Sequence, residues 1–154
     1  MSALPKLTTK AAARVASIDR DRLNEHIAAG RFNCAPETVP GRARLFDPDD
    51  MIALWLFREL MDDGMDASRA GRIACSVANA ARHAPEAPAI SYVESYTGVA
   101  SAISADSVPS PSEWDTFVFN GVDIRKVTTF RISKVRELIA HYTEEERSII
   151  GEND

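Results

Sequence analysis

Arg20, Arg22, Asn24 and His26 fall within one short stretch, and their side chains have the donors and acceptors that read base edges. Arginine can grip guanine O6 and N7, and asparagine can grip adenine N6 and N7, each through two hydrogen bonds. A helix laid in a major groove presents residues from its first two turns to the bases, and these four occupy such a stretch. The plainer alternative is a solvated polar face opposite Leu23 and Ile27, with His26 capping or packing instead. Asp19 and Asp21 repel phosphates, so their roles are the helix cap and compensation of its dipole, with Asp21 also limiting non-specific affinity. Arg42 and Arg44 alternate with Ala43 and Leu45, so on a strand both face one side, as suits phosphates or a narrow minor groove. Lys10 and Arg14 are four apart on a helix and can hold the flanking backbone, unless they are simply a solvated face.

Other chemistries find little support. His26, His83 and His141 form no metal-spaced pair. Cys34 and Cys75 lack CxxC spacing and read as two plain thiols used for packing. Glu144-Glu145-Glu146 is better explained as acid at a helix start than as a general-acid cluster. The expectation is therefore a protein that is not an enzyme and has no cofactor and no metal site.

The net charge of -5 on 154 residues argues at first against a polyanionic partner, but the charge is unevenly placed. From Met1 to Phe46 eight Lys or Arg stand against four Asp or Glu, while the remainder carries ten against nineteen. A basic block on an acidic chain fits a phosphate-contacting module joined to one that makes no such contact. Composition is ordinary for a globular protein, 45% apolar and 27% charged. No run approaches the roughly 20 apolar residues that span a bilayer, and Met1 to Lys10 lacks the apolar centre of a secretory signal. These features point to no membrane partner and to a cytoplasmic, nucleoid-associated location.

The elements that must position the polar residues can be read from caps and periodicity. Thr8 or Thr9 starts a short helix to Ala16 with Ala12, Val15 and Ala16 inward. Asp19 caps a second helix through Ala29, with Leu23 and Ile27 buried, Gly30 at C′, and Ile18 filling the turn between the two helices. From Arg31 to Phe46 the helical period disappears, and Pro36, Pro40 and Gly41 suggest a β-hairpin with a loose tip. Asp47-Pro48-Asp49-Asp50 is the strongest helix start, and that helix stops at Gly64. Asp66 caps another through about His83, with Ala70, Ile73, Ala74, Val77 and Ala81 packed closely against Leu54, Phe57 and Leu60.

Pro85 and Pro88 end the helical half, and Ala100 to Pro111 reads as a surface loop or linker. Asn120-Gly121 supplies both positive φ values of a type I′ turn, which pairs Phe119 with Val122, Phe117 with Ile124 and Asp115 with Lys126. The second strand continues through Phe130 and Ile132. Ser133 then caps a helix carrying Val135, Leu138, Ile139 and Tyr142, and Thr143 with Glu146 forms a capping box for a final turn or two. Phe117, Phe119, Ile124 and Phe130 with Leu138 and Tyr142 suggest a homodimer interface. The alternative is that the helix and an Ile90 to Val93 strand bury this face within one chain.

From Arg14 to Val77 the ordered set Ile18, Leu23, Gly30, Arg44-Leu45-Phe46, Asp50-Met51, Leu54 and Gly64-Met65 resembles the DNA-binding domain of the mercury-resistance regulator (MerR) family. It is also similar to small phage excisionases and packaging proteins. The chain differs in having Asn24-Glu25-His26 where the family has an arginine followed by two aromatics, and in breaking at Pro85 instead of entering a long helix. The resemblance covers about half the chain and implies a winged helix-turn-helix domain over 1–84, four helices plus a β-hairpin wing; with the small hairpin-and-helix module read from its own residues over 88–154, the chain is expected to be α+β. Its implied function is a transcriptional regulator binding double-stranded DNA, and the contacts expected from the residues themselves are Lys10, Arg14, Arg20, Arg22, Asn24, His26, Arg42 and Arg44. The alternatives are a phage-type DNA-architecture, excision or packaging factor, or a protein-interaction module without DNA binding, in which the C-terminal part engages another protein.

Overall fold

The helix starts expected at Asp19, Asp47 and Asp66 are all present in the computed structural model, which describes residues 4–114 and 123–150. Strand β1 (Leu7–Thr8) runs directly into α1 (Thr9–Ala16), whose first turn is capped by Thr8 Oγ1 accepting from the Ala11 N–H at 3.3 Å. Ser17 ends α1 in the left-handed region at φ 59°, a conformation that costs a non-glycine residue about 1 kcal/mol. That bend turns the chain within three residues into α2 (Arg20–Ala28), where Asp19 Oδ2 accepts from the Arg22 N–H at 3.0 Å. Ile18 is half-buried between the two helices and packs on the core, as the turn requires.

A short strand β2 (Leu45–Phe46) precedes α3 (Pro48–Asp62), which begins with a reciprocal capping box. Asp47 Oδ1 accepts from the Asp50 N–H at 2.7 Å and Asp50 Oδ2 accepts from the Asp47 N–H at 2.9 Å. Arg82 reaches back to this corner, 3.1 Å from Asp47 and 3.0 Å from Asp50. Helix α4 (Ala67–His83) lays its face of small residues against α3: Ala70, Ile73, Ala74, Val77 and Ala81 are buried, as are Leu54, Phe57 and Leu60. From Met51 to Phe57 every residue of α3 is buried, because α1, α4 and α5 all pack around it.

The second half forms an antiparallel sheet in the order β4-β3-β5, from β3 (Ile90–Ser95), β4 (Ala100–Ser104) and β5 (Ile124–Phe130), followed by α5 (Ile132–Ile150). Tyr92 pairs with Ala102 on one side and Thr128 on the other. The core is continuous across residues 84–88. Ile90, Tyr92, Ile132, Val135 and Ile139 belong to the same buried cluster as Leu23, Phe32 and Phe57. Arg136 of α5 locks that connection by donating to Pro85 O and Ala81 O, each at 3.1 Å. The architecture is thus mixed α and β, with four helices before His83 as expected.

Several expectations are corrected. The hairpin expected over Arg31 to Phe46 does not form: Leu45 and Phe46 pair with Thr8 and Leu7 instead. Phe32 is buried and stacks on Phe57 with ring centroids 4.8 Å apart, so the start of this segment is drawn into the core. Cys34 and Cys75 are not free thiols; they form a disulfide with Cα atoms 5.7 Å apart, pinning the same segment to α4. Part of the expected 100–111 loop is strand β4, held by the backbone ladder to β3 where Ser and Ala give little local signal. Ser133 lies one residue inside α5 and not at its cap, and Thr143 sits buried within a helix that continues unbroken past it. The Asn120-Gly121 turn, with Phe117 and Phe119, lies outside the described residues.

Candidate nucleic-acid interface

Leu23 is fully buried and anchors α2, so the helix presents Arg20, Arg22 and Asn24 on its exposed side. The tight turn after α1 brings Lys10, Arg14 and Arg20 around one open groove of about 490 Å³, whose other lining residues include Ile18, Asp19 and Asp21. Three of the expected phosphate or base contacts therefore share a concave surface at the corner between the two helices. Arg20 lies 3.7 Å from Asp21 across exposed surface, a pairing worth little in water. Arg14 is more firmly engaged: its Nε donates to Glu146 Oε1, which belongs to α5.

The corner itself is braced from α3. Arg58 donates through Nε to Ala16 O at 2.9 Å and through Nη1 to Asp62 Oδ2 at 3.1 Å, with its guanidinium 5.0 Å from the Trp55 ring. Trp55 in turn stacks on Tyr142 of α5, ring centroids 5.9 Å apart. Sequence reading did not single out Arg58. Its i,i+4 spacing to Asp62 was visible, but the carbonyl of Ala16 is a long-range partner with no sequence signature.

The other expected contacts are placed differently. His26 turns inward, packing edge-on against Phe57 at 5.2 Å and accepting at Nδ1 from Arg31 Nε at 2.8 Å. The packing alternative is the one observed, and His26 is removed from the base-reading set. Arg44 is half-buried and donates to Pro36 O, while Arg42 is exposed. Residues 42–44 are not strand, so the expected alternation that put both arginines on one face is corrected. Among the expected dimer residues, Ile124 is buried within the sheet, Phe130 and Leu138 pack on the chain's own core, and Tyr142 is held by Trp55. Among the described residues no group of three or more His, Cys, Asp or Glu is placed to hold a metal ion, and no helix is long and apolar enough to cross a membrane.

Burial lowers the pKa of His26, and the neighbouring Arg31 and Arg22 charges push it further down. A base whose folded pKa is depressed stabilises the fold fully above its unfolded value near 6.5, and that stability is lost as pH falls towards the folded value. We therefore expect the melting temperature to fall between about pH 7.5 and 5.5, and to fall less in His26→Gln. Equal pH dependence in the two proteins, measured by thermal denaturation, would show that His26 is not held neutral. In comparisons with known proteins, no family model matches the chain and no curated protein matches it.

Proposed function

We propose that the chain binds duplex DNA through the helix-turn-helix formed by α1 and α2, and that it acts as a transcriptional regulator. The observation that carries this reading is the convergence of Lys10, Arg14 and Arg20 on one groove beside the exposed Arg22 and Asn24. In this arrangement α2 enters the major groove, Arg22 and Asn24 meet base edges, and Lys10 and Arg20 hold the flanking phosphates. The irregular segment between α2 and β2, with Arg42 exposed on it, takes the place of a wing. The remainder of the chain supports the corner through Arg58, Tyr142 and Glu146.

The test is selection of bound fragments from a random duplex pool, followed by measurement of affinity for the selected site and for random DNA. Arg22→Ala and Asn24→Ala are each expected to reduce the preference for the selected site by about 1 to 3 kcal/mol. Equal loss on selected and random DNA would assign these residues to the backbone. No enrichment of any sequence by the wild-type chain would reject sequence-specific regulation.

A further inference from the structure

A second group of cations gathers where α4 meets the β4-β3-β5 sheet, in the part of the chain after Phe46 whose composition is otherwise acidic. Glu94 on β3 is mostly buried, and three basic side chains from two elements converge on it. Arg69 of α4 lies 2.9 Å from Glu94 Oε1, Arg125 of β5 lies 3.7 Å from the same oxygen, and Lys126 lies 3.4 Å from Oε2. Adjacent residues of a regular strand point to opposite faces, so Arg125 and Lys126 would ordinarily part. The ladder is irregular here: Glu94 pairs with Lys126 but Ser95 pairs with Ile124, leaving Arg125 as the extra residue of a bulge. A bulge re-aims side chains, and this one brings both cations to one carboxylate.

One carboxylate neutralises only one of the three charges. The side chains of Arg69, Arg125 and Lys126 remain 33%, 42% and 44% exposed, so the cationic ends reach solvent. Arg72 is exposed one turn further along α4. Asp66, whose Oδ1 accepts from the Arg69 N–H at 3.0 Å, and Asp123 next to Ile124 offset part of this charge, so four cations stand against three carboxylates.

We infer that Arg69, Arg72, Arg125 and Lys126 form a second phosphate-contacting surface, which holds the sugar–phosphate backbone of duplex DNA. The inference rests on the DNA-binding reading above and adds a surface formed by α4 and β5. Glu94 holds the cations in place, as a bridging anion does in a positioned cluster, and the excess positive charge faces the duplex.

The experiment uses the full chain and random-sequence duplex, with affinity measured by fluorescence anisotropy across a salt series. Arg125→Ala with Lys126→Ala removes two phosphate contacts and is expected to reduce the slope of log K against log salt by about 1.8. Between roughly 50 and 200 mM salt the wild-type chain would then lose about 12-fold more affinity than this variant. The charge-preserving pair Arg125→Lys and Lys126→Arg is expected to restore the wild-type slope. Should the alanine pair melt early, Arg125→Gln with Lys126→Gln keeps the stems packed and is expected to show the same reduced slope. A neutral pair that keeps the wild-type affinity and slope, or that weakens binding with the slope unchanged, would overturn the second surface and leave the α2 reading intact. A wild-type chain without salt-sensitive binding would overturn both.

Discussion

Removing the Cys34–Cys75 bridge is expected to lower the unfolding free energy by about 4 kcal/mol, the loop-entropy value for a cross-link spanning 41 residues. Because domains of ordinary size are stable by only about 5 to 15 kcal/mol, a loss of that size would dominate the balance. The bridge closes a loop that contains the irregular segment with Arg42 and Arg44, strand β2, all of α3 and the first half of α4. Without it, the unfolded chain regains the freedom that the link denies, and the segment after α2 loses its tie to α4. Denaturant titration of Cys34→Ala/Cys75→Ala, and of the wild-type chain with and without a dithiol reductant, reads the effect as a shifted midpoint. Reduction proceeds by thiolate attack on one sulfur, passing through a mixed disulfide and ending with two protein thiols and an oxidised reductant. Identical midpoints for the oxidised and reduced wild-type chain would show that the two cysteines contribute nothing as a cross-link.

Gly71→Ala is expected to destabilise the fold by about 3 kcal/mol, the upper part of the range for overpacking. A Cβ at this position would lie 1.8 Å from the Arg31 carbonyl oxygen and 2.9 Å from its carbonyl carbon. Both are backbone atoms, so neither can swing aside as a side chain would. Relief requires α4 to lift away from the Arg31-Phe32 segment, which loosens the stack of Phe32 on Phe57 and the adjoining disulfide. Helix propensity acts in the opposite direction, since alanine is favoured over glycine in a helix interior by about 1 kcal/mol. The sign of the measured change therefore decides between the two effects. An alanine variant as stable as wild type, or more so, would mean that α4 does not approach this carbonyl.

Local signals made the helices legible. Asp19, Asp47 and Asp66 each accept from the N–H three residues ahead, so cap and helix start lie in the same few residues. Long-range partners set the parts that could not be read. Arg31 to Arg44 carries turn residues that suit a hairpin, but Phe32 is claimed by Phe57 and Cys34 by Cys75, and neither partner is near in sequence. Ala100–Ser104 looks like a loop because Ser and Ala carry little strand preference, yet β3 supplies a complete ladder for it. The same division holds at the site. Lys10, Arg14, Arg20, Arg22 and Asn24 follow from helix spacing and the buried Leu23, whereas the link of Arg14 to Glu146 joins residues 132 positions apart. His26 has the polarity of a base-reading residue, and its own type leaves packing equally open; Phe57 and Arg31, the partners that decide it, give it an inward place.

The central claim is that the α1–α2 corner contacts the DNA backbone, and the most direct measurement of it is the salt dependence of duplex binding by the wild-type chain and by Lys10→Ala/Arg20→Ala. Each phosphate contact releases counterions, so log K should fall linearly with log salt, and loss of two contacts should reduce the slope by about 1.8. The account predicts that reduction with the melting temperature unchanged, because both side chains are exposed. Binding by the wild-type chain that does not weaken with salt, or a double variant with the wild-type slope, would contradict it.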